Sequence, residues 1–128
     1  MAGKKILWVD DDQDLVLSLQ PSLEKQGWQV QAAFSAEQAK TMVVSDIPDL
    51  IIMDIIMGEE HGYNAIEDLK SYPQLANVPI IVFSSVTHRW GETTATREDA
   101  ILTEADEFVD KSARPDALID TIRKYLGT

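Results

Sequence analysis

Five apolar runs of strand length punctuate the chain: KILWV at 5–9, WQVQAAF at 28–34, LIIMD at 50–54, PIIVFS at 79–84 and EFVD at 107–110. Segments with helical spacing of apolar residues separate them. Strands alternating with helices predict βαβ units and a parallel sheet, with LIIM and IIVF reading as central strands buried on both faces. The first helical segment, about 12–26, places Leu15, Leu19 and Leu23 on one face and stops at Gly27, a C-terminal cap. Pro21 inside it predicts a kink or an irregular helix. Ser35-Ala36-Glu37-Gln38 has the form of a capping box and opens a second helix running to about Ser45. A third spans about 63–70 and ends before Tyr72-Pro73. A polar stretch from His88 leads into an expected helix near 93–103, and the last helix opens at Pro115, turning Leu118, Ile119, Ile122 and Leu126 inward.

Composition narrows the class of protein. With 128 residues, 45% of them hydrophobic, the chain reads as one domain over 1–128. Zero cysteines exclude a disulfide framework, a thiolate metal site and a thiol nucleophile. No stretch approaches the ~20 apolar residues of a membrane span, and MAGKK leads into a short strand rather than a signal-peptide core, so the expected location is the cytoplasm. The formal net charge of −11 repels phosphate backbones and anionic lipid, so no direct nucleic-acid or membrane partner is expected.

Charge also concentrates where chemistry is expected. In an open α/β sheet, sites form at the carboxyl ends of the strands. Asp10 and Asp11 follow the first strand, Asp54 the third, Ser84 and Ser85 lie at the end of the fourth, and Lys111 follows the fifth. Aspartates after a strand are often only helix caps, a role that suits Asp12 or Asp14. Three carboxylates converging in one cleft supply the hard oxygen ligands that Mg²⁺ prefers. Lysine and serine beside them can neutralise and hydrogen-bond a phosphoryl group, and aspartate can itself be the nucleophile.

Four motifs in order, ILWVDDD, LIIMDIIM with glycine eight residues after its aspartate, VPIIVFSS and ADEFVDKS, resemble the receiver domain of two-component response regulators across nearly the whole chain. The resemblance implies a flavodoxin-like, doubly wound five-stranded parallel sheet of order 2-1-3-4-5 with five helices. It implies Asp54 as phosphoacceptor, Asp10 and Asp11 as the acidic pair for Mg²⁺, and the backbone carbonyl of Ile56 as a further metal ligand. Ser84 matches the hydroxyl that moves toward the phosphoryl group, Lys111 its lysine partner, and Phe108 the aromatic that changes rotamer on activation. The implied partners are a sensor histidine kinase or phosphotransfer protein and a downstream protein target. The implied activity is phosphoryl uptake and slow loss, not enzymatic turnover. Only a final helix fits after Lys111, so no output domain is expected within the chain.

The chain departs from the family pattern at two places. Gly58 stands where proline usually follows the methionine at Met57. Ser112 stands where a cis proline usually follows the lysine, and a cis bond before a non-proline residue costs about 2.5–4 kcal/mol. Trp90, flanked by His88 and Arg89, either anchors a partner or folds back on the domain. His61 reads as a plain loop residue, with phosphate or metal contact as the alternative. Ile56 and Val86, two residues past Asp54 and Ser84, cannot hydrogen-bond a water aimed at phosphorus, which predicts a long-lived phosphoryl state.

Rival readings exist. Asp10-Asp11-Asp12 contains the D-x-D of haloacid-dehalogenase-type phosphatases, but Asp14 stands where that family has threonine. Asp10, Asp12 and Asp14 begin like a Ca²⁺ loop, which Leu15 and Pro21 then break by replacing its glycine and glutamate. A receiver fold used as an adaptor without phosphorylation is the third alternative.

Overall fold

The continuous apolar runs become the sheet. In the computed structural model, which describes residues 3–54, 56–57, 60–84, 105–111 and 115–127, the strands of the main sheet are Lys5–Val9 (β1), Gln29–Ala33 (β2), Leu50–Met53 (β3), Ile80–Ser84 (β6) and Glu107–Asp110 (β7). They pair in parallel in the order β2-β1-β3-β6-β7, which is the expected 2-1-3-4-5 when only these five are counted. Every residue of β3 and β6 is buried, because helices cover both faces. Between them lies an unforeseen antiparallel hairpin, Ile56–Met57 (β4) with Glu60–His61 (β5). Strands of two residues are too short to leave an alternation in the sequence.

Four α-helices lie among the described residues: Gln13–Glu24 (α1), Ala36–Ser45 (α2), Gly62–Lys70 (α3) and Pro115–Leu126 (α4). The expected helix near 93–103 falls outside the described residues, as do Ser85, Val86, His88, Arg89, Trp90, Gly58 and the Lys111–Ser112 bond. One face of the sheet packs Leu7, Val9, Ile51, Met53 and Phe108 against α2 and α3. The other packs Ile6, Trp8, Ile52, Phe83 and Val109 against α1 and α4. The result is doubly wound.

Helix boundaries follow local chemistry. Asp12 Oδ1 accepts from the Leu15 N–H at 3.1 Å and caps α1. The helix runs through Pro21 and ends at Glu24, after which Gly27 takes φ +102°, a conformation only glycine adopts without strain. On α1 the deepest residues are Val16 and Leu23, with Leu15 and Leu19 only partly buried, so the inward stripe is rotated from the leucine row read in the sequence. Ser35 Oγ accepts from Gln38 N–H at 3.1 Å, as expected for α2, while Gln38 Oε1 accepts at 2.8 Å from the N–H of Phe34, one residue before the capping serine whose N–H a capping box would use. Tyr72-Pro73 ends the third helical region in a short 3₁₀ turn, Pro73–Leu75. In α4, Leu118, Ile119 and Ile122 are buried and Leu126 partly so.

Candidate functional site

Strand register decides which ends meet. Val9 lies opposite Met53, Met53 opposite Val82, and Ser84 opposite Asp110. The chain therefore leaves β1, β3, β6 and β7 on the same rim, and the residues at or just after those ends face one another. Backbone hydrogen bonds continue the ladder past the strands: Asp10 N–H to Ala33 O at 3.0 Å, Asp54 N–H to Val9 O at 2.9 Å and Lys111 N–H to Ser84 O at 3.0 Å. The site residues are thus anchored by the main chain before any side chain acts.

Asp10 and Ser84 are fully buried and Asp54 is 4% exposed. The Ser84 hydroxyl donates to Asp54 Oδ1 at 2.7 Å. The Lys111 ammonium lies 2.9 Å from Asp54 Oδ2 and 2.9 Å from Asp10 Oδ2. Asp10 Oδ1 accepts from the Asp12 N–H at 3.0 Å. Asp11 is exposed, yet its carboxylate, with those of Asp10 and Asp54, offers oxygens that all lie within 4.8 Å of one another. Phe108 is buried on β7. Ile56 lies in β4 and His61 in β5, each described by backbone alone.

The electrostatics are unbalanced. Among the described residues, three carboxylates gather around one ammonium in a largely buried cup. Burial raises the Asp10 carboxyl pKa above its usual value, and this outweighs the Asp12 N–H and Lys111, which act in the opposite direction. Burial pulls the Lys111 ammonium down, but hydrogen bonds and charge from Asp10 and Asp54 more than offset it, so its pKa is raised. A hard divalent cation fits this donor set: closely spaced carboxylate oxygens, with one of the three carboxylates open to solvent.

The described side chains expected around the phosphoryl group, Asp10, Asp11, Asp54, Ser84 and Lys111, are brought together, while Phe108 packs in the core on the face covered by α2 and α3. One contact was missed by sequence reasoning. The indole N–H of buried Trp8 points at Asp10 Oδ2, 3.4 Å away. The signal available was parity, since residues two apart on a strand share a face.

The sequence model of the response regulator receiver domain matches residues 6–123. The chain belongs to that family. Receiver domains are signalling domains, and the acidic cup of Asp10, Asp11 and Asp54 matches the family's phosphoacceptor site. This receiver is 30% identical over 121 residues to the response regulator SaeR of Staphylococcus aureus, covering 94% of this chain and 50% of that protein. It therefore spans about half the length of the curated relatives it matches. Among solved structures, it resembles a response regulator of Chloroflexus aurantiacus with TM-score 0.85 and 21% identity, over 98% of this chain and 99% of that one. It also resembles the response regulator TrrA of Thermotoga maritima, crystallised with Mg²⁺ and BeF, with TM-score 0.80 and 28% identity, over 96% of this chain and 99% of that one. Among the described residues no helix is long and apolar enough to cross a membrane.

Proposed function

We propose that this receiver takes a phosphoryl group onto Asp54 from the phosphohistidine of a sensor histidine kinase or phosphotransfer protein, and passes the signal to a downstream protein. What supports the reading is the engagement of both Asp54 oxygens in a buried cup, one by a hydroxyl and one by an ammonium. In the transfer an Asp54 oxygen bonds to phosphorus as the phosphorus–nitrogen bond to the donor imidazole breaks, and the imidazole keeps the bonding pair. Lys111 lies where it can neutralise charge on the transferred group, and Ser84 where it can donate to a phosphoryl oxygen. Mg²⁺ would be held by Asp10, Asp11, Asp54 and the Ile56 carbonyl, and when bound it supplies charge neutralisation at the phosphoryl oxygens.

The output follows from the same contacts. Ser84 ends the strand next to β7, which carries Phe108, so a change of hydroxyl partner at Asp54 transmits to the face formed by β7 and α4. The protein partner reads that face, the setting is the cytoplasm, and residues 1–128 act as one receiver unit without catalytic turnover.

The test is intact mass after incubation with a small acyl-phosphate donor, with and without Mg²⁺, for the wild type and Asp54→Asn. One Mg²⁺-dependent phosphoryl adduct, absent in the variant, is expected. A folded wild-type domain that gains no adduct overturns the proposal in favour of the adaptor reading.

A further inference from the structure

Trp8 is a costly way to fill a core position. An aliphatic side chain there would pack without a polar atom, whereas a buried indole N–H needs an acceptor. Trp8 is fully buried on the face covered by α1 and α4, and its ring meets Phe83 edge-on with centroids 5.9 Å apart at 67°. That contact passes over β3, because Trp8 pairs with Ile52 and Ile52 with Ile81. Its N–H is aimed at the site, with Asp10 Oδ2 as its acceptor at 3.4 Å. The same oxygen lies 2.9 Å from Lys111 Nζ, and the other is held by the Asp12 N–H at 3.0 Å.

Asp10 is thus aimed by three donors from three directions. Two of them, the indole and the Asp12 amide, are fixed to the sheet and to the start of α1. The third sits on a flexible stem and is shared with Asp54. We propose that Trp8 is a positioning residue for the metal-holding carboxylate: its indole N–H keeps Asp10 oriented when Lys111 turns to the phosphoryl group. This rests on the reading of the acidic cup as a Mg²⁺ site. Donors behind a ligand carboxylate fix its orientation and sustain metal affinity. The position also makes Trp8 a reporter, since its N–H lies against the carboxylate that would hold the cation.

The test uses the whole chain labelled with ¹⁵N at the indoles and titrated with Mg²⁺, with calorimetry giving the dissociation constant independently. The chain has three tryptophans, so the Trp8 N–H signal is assigned by elimination with Trp28→Phe and Trp90→Phe. The Trp8 signal is expected to move and saturate at the calorimetric constant, while that of Trp28, a core indole on the same face, stays in place. Trp8→Phe is expected to weaken Mg²⁺ binding about five-fold, less than for shorter supporting bonds, and Trp28→Phe to leave it unchanged.

A Trp8 signal that stays fixed while calorimetry shows binding overturns the inference. So does Trp8→Phe binding with wild-type affinity. Because the spectrum is read on the wild type, the outcome stands whether or not Trp8→Phe folds. A wild type that binds no Mg²⁺, or an Asp10→Asn variant that binds as well as wild type, instead sinks the reading of the cup itself.

Discussion

Asp54 meets a hydroxyl and an ammonium at the ends of two other strands, separated from it by 30 and 57 residues along the chain. Residue types named those partners in advance: acids for a hard cation, lysine and serine for a phosphoryl group. Trp8 escaped notice because its apolar ring suited the strand pattern fully and hid its polar edge. At the same scale, what flanks the acceptor sets how long a phosphoryl group lasts. The side chains of Ile56 and Val86, two residues past Asp54 and Ser84 in the sequence, carry no hydrogen-bonding group to offer a water. Ile56→Asn or Val86→Glu is therefore expected to shorten the phosphoryl lifetime by roughly ten-fold, less than the hundred-fold or more of a group that itself transfers the proton, because the new side chain would only orient the water. The decay of the phosphorylated mass at fixed Mg²⁺ measures it, and unchanged lifetimes in both variants would sink the idea.

Elements formed where local signals agreed. Asp12 and Ser35 cap the helices assigned to them, and Gly27 closes the turn into β2. Gly27 has φ +102° and open space where a Cβ would stand, so the conflict there is with backbone conformation rather than with a neighbour. Gly27→Ala should cost about 1–2 kcal/mol, the usual penalty for a left-handed non-glycine residue, read as a shift of the urea midpoint at unchanged slope. Pro21 shows the limit of local reasoning. It removes the N–H that the Leu17 carbonyl would accept, yet Leu17 is on the exposed face, 63% accessible, and burial of Val16 and Leu23 holds the helix together through the defect.

Across the whole molecule, the site opposes the fold that holds it. Burial raises the Asp10 carboxyl pKa above its ordinary 3.8, so the folded state binds that proton more tightly than the unfolded chain does. The resulting stabilisation is complete below about pH 4 and is lost as pH rises through the folded value. Asp10→Asn keeps a neutral side chain at every pH and relieves the crowding of like charge. In the presence of chelator at pH 7 it should melt a few degrees above wild type, equivalent to about 1 kcal/mol, with the gap closing as the pH falls through the raised Asp10 value and closed by about pH 4. Mg²⁺ should then raise the wild-type midpoint and leave the variant's in place. A wild type that outlasts the variant across that whole range contradicts this account.

The sequence by itself determined the five strands of the main sheet, the capped helices, the class of chemistry and the family, because period, cap and motif are all carried by residues near one another in the chain. Only the tertiary structure decided the strand register that brings Asp10, Asp54, Ser84 and Lys111 onto one rim, the sharing of one ammonium between two carboxylates, and the aim of the Trp8 indole. Those depend on contacts between strands far apart in sequence, where a shift of one residue would turn each side chain to the opposite face.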